Sequence, residues 1–170
     1  LPRRESDPTL PLSPYAVAKL AAERFCVSFT RVYGIETVAL RYFNVFGPRQ
    51  DPTSQYAAVV PRFISAIAAG RAVTVHGDGE QSRDFTYVEN VVTANLLASD
   101  ASGAEGRVLN VATGGSETVN TLADTIGRLL DRPVEKVYGP SQPGDVMESW
   151  ADVTAARAAI GYTPSVSFEE

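Results

Sequence analysis

Residues 13–48 read SPYAVAKLAAERFCVSFTRVYGIETVALRYFNVFGP, and this stretch decides the fold class. Ser13 is a hydroxyl cap and Pro14 stands at a first helical position, where its missing N–H costs nothing. Val17, Leu20, Ala21, Phe25, Phe29 and Val32 follow at helical spacing, and Gly34 stops the helix. Thr37 to Tyr42 then reads as a buried strand, broken by Phe43-Asn44-Val45-Phe46-Gly47-Pro48. A helix running into an apolar strand is half of an α/β repeat unit.

The same alternation continues downstream. A polar, turn-rich stretch from Arg49 to Tyr56 leads to a helix expected from about Val60 to Ala69, with Gly70 after it. Val73 to His76 reads as a short strand, Gly77-Asp78-Gly79 as a turn, and Phe85 to Val88 as extended chain before a helix over Glu89 to Ala98. Arg107 to Val111 is a strand and Thr118 to Leu130 a helix closed by Asp131-Arg132-Pro133. A strand near Val134 to Tyr138, a Pro143-Gly144 loop and a helix near Thr154 to Ile160 follow. The expectation is an α/β chain without repeats, low-complexity segments or a clean domain boundary.

Composition narrows the function classes. The chain has 170 residues, enough for one domain with its own core. Its 15 basic and 20 acidic side chains give a net charge of -5, and no basic stripe suits nucleic acid or a membrane surface. One or two well-placed arginines are nonetheless enough to bind a phosphate-bearing ligand. Cys26 is the only cysteine, which excludes an internal disulfide, fits a reducing cytoplasm and reads as a small core residue. His76 is the only histidine, and its strand position argues against catalysis; with no cysteine or carboxylate cluster around it, no metal site is expected. No apolar run reaches the roughly 20 residues that span a bilayer. The polar opening Leu-Pro-Arg-Arg-Glu-Ser-Asp-Pro and the ending Ser-Phe-Glu-Glu both read as cut ends.

Tyr15 and Lys19 lie four residues apart and so share one face of the helix. A free phenol, with a pKa of about 10, is a poor base at neutral pH, but a neighbouring cation favours the phenolate. Such a pair can move a proton at a sugar hydroxyl; the alternative is an incidental surface pair. Asn44, just past the end of a strand, stands where open α/β sheets bind ligands, or is simply a turn former. Arg83 follows a Gly-rich turn and offers a planar fork for a diphosphate, or is a solvated surface charge. Gly114-Gly115 lacks the spacing and the lysine of a phosphate loop and reads as a turn.

The run Ser13-Pro14-Tyr15 with Lys19, Leu40 to Gln50, Gly77-Asp78-Gly79, Ser82-Arg83-Asp84-Phe85 and Gly144-Asp145, in that order, resembles the extended short-chain dehydrogenase/reductases, the NAD-dependent epimerase/dehydratase family. Arg49-Gln50-Asp51-Pro52 and Tyr56 to Pro61 are most similar to its UDP-hexose and UDP-N-acetylhexosamine 4-epimerases. The resemblance implies the C-terminal half of a Rossmann-like enzyme, with residues 1–57 a remnant of the Rossmann-like domain and 58–170 mainly a UDP-sugar-binding region with possible return segments to the Rossmann sheet. It implies Tyr15 as acid/base at the sugar C4 hydroxyl and Lys19 at the nicotinamide ribose, with Phe43 lining the nicotinamide of NAD. It further implies Asn44 and Arg83 at the diphosphate, Val60 and Val75 near the uracil, and Asp145 near the ribose. Ser149 falls where a residue meets the sugar C2 substituent; a small side chain there leaves room for an acetamido group, whereas a register shifted by one would put Glu148 or Trp150 at that gate.

The chain departs from the family pattern in three respects. The Gly-rich dinucleotide fingerprint with its acidic ribose ligand, and the catalytic serine or threonine upstream of the tyrosine, are not in this sequence. Gln142 and Met147 stand where the family usually holds arginines. The resulting expectation is a cytoplasmic UDP-sugar 4-epimerase fragment that binds no NAD alone, and that self-associates as a dimer or higher oligomer through the face of Val17, Leu20, Phe25 and Phe29. The alternatives are an inactive self-associating or nucleotide-sugar-binding module, and a nucleotide-sugar 4,6-dehydratase.

Overall fold

A computed structural model describes residues 2–53, 58–142 and 146–170. In chain order the elements are α1 (Pro14–Tyr33), β1 (Ala39–Tyr42), β2 (Val45–Phe46), α2 (Val59–Ala68), β3 (Val73–His76), β4 (Ser82–Arg83), β5 (Thr86–Tyr87), α3 (Val88–Asp100), β6 (Val108–Val111), β7 (Glu117–Thr118), α4 (Val119–Leu130), β8 (Lys136–Gly139), β9 (Glu148–Ser149) and α5 (Thr154–Ile160). The helices fall where the periodicity puts them. Ser13 Oγ accepts the Ala16 N–H at 3.2 Å, and Gly34 closes α1 at φ 68. The expected extended stretch at 85–88 shortens to β5 because Val88 already begins α3, and the strand expected from Val134 begins at Lys136.

β1 pairs in parallel with β6, from Ala39 opposite Val108 to Tyr42 opposite Val111. β2 pairs in parallel with β5, and β3 with β8. β4 is the middle strand of a three-stranded sheet, antiparallel to β7 and parallel to β9. Two apolar clusters hold these pieces. One joins Val60, Phe63 and Ile67 of α2 to Val73 and Val75 of β3, Phe85, and Val119, Leu122 and Ile126 of α4. The other joins Val91 and Ala94 of α3 to Leu109 and Val111 of β6, and to Ala156, Ile160 and Tyr162. Gly127 on α4 faces the Val134 side chain so closely that any Cβ would collide with it, which lets the chain entering β8 lie against the helix.

Buried polar side chains tie distant segments together. The Asp84 carboxylate is fully buried and accepts the N–H and hydroxyl of Thr113 at 2.9 and 2.6 Å, the Gly114 N–H at 3.0 Å and the Ala151 N–H at 3.3 Å. Gly114-Gly115, expected as a turn, is a bend with Gly114 at φ 78, and the Gly114 N–H is already spent on Asp84. Asn90 holds the chain after α5: its Nδ2 donates to the Val166 carbonyl, and its Oδ1 accepts the Ser165 and Val166 N–H groups. Asn110 donates to the carbonyls of Arg3 and Asp152. Arg41 on β1 makes a two-pronged pair with Glu23 on α1 at 2.6 and 3.0 Å; the Arg41 hydrogen bond holds the Glu23 carboxyl below its usual range.

α1 is anchored on one side only. None of its residues is buried, and Val17, Phe25, Phe29, Val32 and Tyr33 are exposed. Cys26, expected in a core, is half-buried, with its carbonyl accepting the Thr37 hydroxyl at 2.8 Å. Among the described residues no helix is long and apolar enough to cross a membrane.

Candidate active site

Tyr15 and Lys19 project from the first turns of α1 on one face. The Lys19 ammonium lies 5.5 Å from the Tyr15 ring centroid, and Tyr15 is 72% exposed. Lys19 has no carboxylate partner among the described residues, so its charge is available to an incoming group. Both side chains line an open groove of about 750 Å³ between α1 and β1, together with Glu23, Cys26, Arg41 and Tyr42. Phe43 follows β1 half-buried and is outside this lining; its N–H donates to the Val111 carbonyl at 3.3 Å.

A second, smaller cavity of about 220 Å³ opens past the end of β1, and Asn44, Arg62, Thr74, His76, Arg83 and Gln142 stand on its walls. Asn44 has φ 34, in the left-handed region that asparagine tolerates better than most side chains, and its carbonyl accepts the Thr86 N–H at 3.3 Å. Tyr42 faces the groove and Asn44 the cavity, so the C-terminal end of β1 separates the two. Val60 and Val75 lie in the core behind this cavity, while their neighbours Val59, Thr74 and His76 reach its surface. Arg83 lines it, but Nη1 also donates to the carbonyls of Ser82 and Val146, both at 2.7 Å. Ser149 lies on β9 rather than in a loop, as the register partner of Arg83. Asp145 falls outside the described residues.

Several wall residues were not legible from the sequence, His76, Gln81 and Arg62 among them. The strand position of His76 argues against catalysis, and the structure brings it to the cavity from the end of β3, with Nδ1 3.3 Å from the Pro140 carbonyl oxygen. Gln81 donates to the His76 carbonyl at 2.7 Å and lines the cavity beside it. Arg62 enters from the first turns of α2. Its signal was a lone cation near the start of an otherwise apolar helix, which a search for glycine-rich motifs does not catch.

Parallel strands, an exposed tyrosine–lysine pair and a cavity of mixed polar and apolar lining past a strand end characterise this α/β scaffold, and comparisons place it. The profile of the NAD dependent epimerase/dehydratase family matches residues 1–112, and the chain belongs to that family. It is 36% identical over 170 residues to a putative UDP-glucose 4-epimerase of Methanocaldococcus jannaschii, covering 100% of this chain and 54% of that protein. Among solved structures it is similar to a UDP-N-acetylglucosamine 4-epimerase of Methanobrevibacter ruminantium in complex with UDP-N-acetylmuramic acid, at 45% identity and a TM-score of 0.92 over 97% of this chain and 52% of that one. It is also similar to a UDP-glucose 4-epimerase of Thermotoga maritima with UDP-glucose, at 42% identity and a TM-score of 0.89 over 95% of this chain and 51% of that one. The chain thus spans about half the length of the relatives it matches.

Proposed function

We propose that this chain is the sugar-nucleotide-binding half of an NAD-dependent UDP-sugar 4-epimerase. The observation that carries the reading is the placement of the Tyr15–Lys19 groove and the Asn44–Arg83 cavity on either side of the C-terminal end of β1. A UDP-sugar whose diphosphate lies by Asn44 then turns its hexose toward Tyr15. On this reading residues 1–57 belong to the Rossmann-like half and residues 58–170 mainly to the UDP-sugar-binding region, with β6, paired with β1, as a return segment.

The residues present suit the nicotinamide end of the cofactor: an exposed ammonium with no carboxylate partner among the described residues, beside a phenol, in the lining of a groove. NAD, when bound, supplies reversible hydride transfer at the sugar C4. Tyr15 takes the proton of the C4 hydroxyl as the carbonyl forms and returns it as the hydroxyl is restored on the other face. Lys19 orients the nicotinamide ribose and places positive charge beside the phenol oxygen. Asn44 and Arg83 hold the diphosphate, with Phe43 toward the nicotinamide and Asp145 toward the ribose. Val60 and Val75 support the uracil end from behind. Ser149, with its small side chain, leaves the C2 position open to an acetamido group, so UDP-N-acetylhexosamines are accepted together with UDP-glucose and UDP-galactose. The exposed α1 face supports self-association of the chain.

The test is calorimetric titration of the chain with UDP. Saturable binding that Asn44→Ala weakens about tenfold is expected; absence of UDP binding overturns the reading.

A further inference from the structure

Arg62 stands in a place where an arginine is poorly accommodated by its own helix. It lies in the opening turns of α2, where the helix dipole is positive, and the first turn carries no acidic residue to offset it. Ala58 caps that end without a side-chain hydrogen bond. Among the described residues no carboxylate or carbonyl pairs with the Arg62 guanidinium, although it lines the same cavity as Asn44 and Arg83. An exposed guanidinium without a partner, at the positive end of a helix and on the wall of a cavity, is arranged for an anion.

Gln142 lines the cavity and brings no charge. Arg83 does bring charge, but its Nη1 is engaged with the Ser82 and Val146 carbonyls and pins the segment before β9 to β4. Arg62 is the guanidinium of this lining that has no bonded donor among the described residues.

We propose that Arg62 is a phosphate-binding residue of the nucleotide cavity, supplying from α2 a positive charge that Gln142, in the same lining, does not supply. The inference rests on the reading of this cavity as the UDP site and adds to it the residue that discriminates a nucleoside diphosphate from a nucleoside. Arg62 touches a phosphate oxygen rather than the reacting carbon, so it governs substrate affinity and not the proton transfer at C4.

Calorimetric titration of the 170-residue chain with UDP and with uridine, repeated for Arg62→Gln and Arg62→Lys, tests it. Arg62→Gln is expected to weaken UDP about tenfold or more while leaving uridine within about twofold, and to flatten the salt dependence of UDP binding. Arg62→Lys is expected to recover most of the loss, since a point charge still attracts phosphate. Wild-type UDP affinity in Arg62→Gln, or equal weakening of UDP and uridine, overturns the assignment while leaving the cavity as a UDP site. Failure of the unsubstituted chain to bind UDP overturns both.

Discussion

Arg83 and Ser149 are register partners on the neighbouring parallel strands β4 and β9, and the Asp84 N–H donates to the Ser149 carbonyl at 2.9 Å in the same ladder. The residue assigned to the diphosphate and the residue assigned to the sugar C2 gate are therefore held in one backbone frame. A nucleotide sugar reaching both is measured against a fixed separation rather than against two independent loops.

On the proposed assignment of Ser149 the gate is steric. Ser149→Tyr, in the enzyme carrying this chain, is expected to suppress turnover of UDP-N-acetylglucosamine at least about tenfold while changing UDP-glucose turnover little, because a close-packed site cannot absorb both a ring and an acetamido group. Parallel assays of kcat/KM on the two substrates check it, and an unchanged ratio refutes the assignment.

Tyr15→Phe removes the phenol oxygen and keeps the ring beneath Lys19. Loss of a positioned acid/base lowers the epimerisation rate by about 10²–10⁴-fold. NAD binding is expected to persist in that variant, whereas Lys19→Ala is expected to lower the rate comparably and weaken the cofactor as well. Near-normal turnover by Tyr15→Phe assigns the proton transfer elsewhere.

Asp84→Asn keeps the shape but turns an amide donor toward two of the four existing donors, which come in pairs from Thr113 on one oxygen and from Gly114 and Ala151 on the other. The expected destabilisation is about 2–4 kcal/mol, from lost charge-assisted bonds and a buried donor without a partner. Urea denaturation followed by circular dichroism measures it. A change under 1 kcal/mol, on the order of a single neutral hydrogen bond, contradicts the anchoring role.

Tyr162 is fully buried and donates to the Ala112 carbonyl at 2.9 Å. Burial, with a smaller contribution from the Asp84 charge, pushes its phenol up to about 12 from 10.0. A raised pKa contributes stability that is complete below the unfolded value of about 10 and is lost as pH rises toward 12. Stability is therefore expected to fall steeply across that alkaline window, and Tyr162→Phe to flatten the fall while costing about 1 kcal/mol at neutral pH. Matching alkaline limbs in the two proteins contradict it.

Phe25 is 63% exposed, and Phe29 and Tyr33 continue the same apolar stripe along α1. Sedimentation of the chain is expected to show dimers or larger species, and Phe25→Glu with Phe29→Glu to shift them toward monomer by placing charge on the contact face. A concentration-independent monomer of the unsubstituted chain contradicts this.

The residues of α1 determined its limits by themselves: Ser13 caps it and Gly34 ends it through groups no more than a turn away. The same local logic made α4, with its Thr118 cap, and the strand at Val73–His76 readable, and it put Tyr15 and Lys19 on one face. The two-residue strands β2, β4, β7 and β9 were not readable, because two residues have no period and exist only through their partners. Asp84 gives no local sign of its role; its acceptors meet donors 29 and 67 residues further along the chain. The cavity is of the same kind, assembled from α2, β3, β4 and the loop at Gln142, so Arg62 and His76 became wall residues only when the chain closed. Hydrogen-bond caps and side-chain period act within a few residues and are written in order along the sequence. The cavity depends on which distant surfaces bury each other, and only tertiary packing settles that.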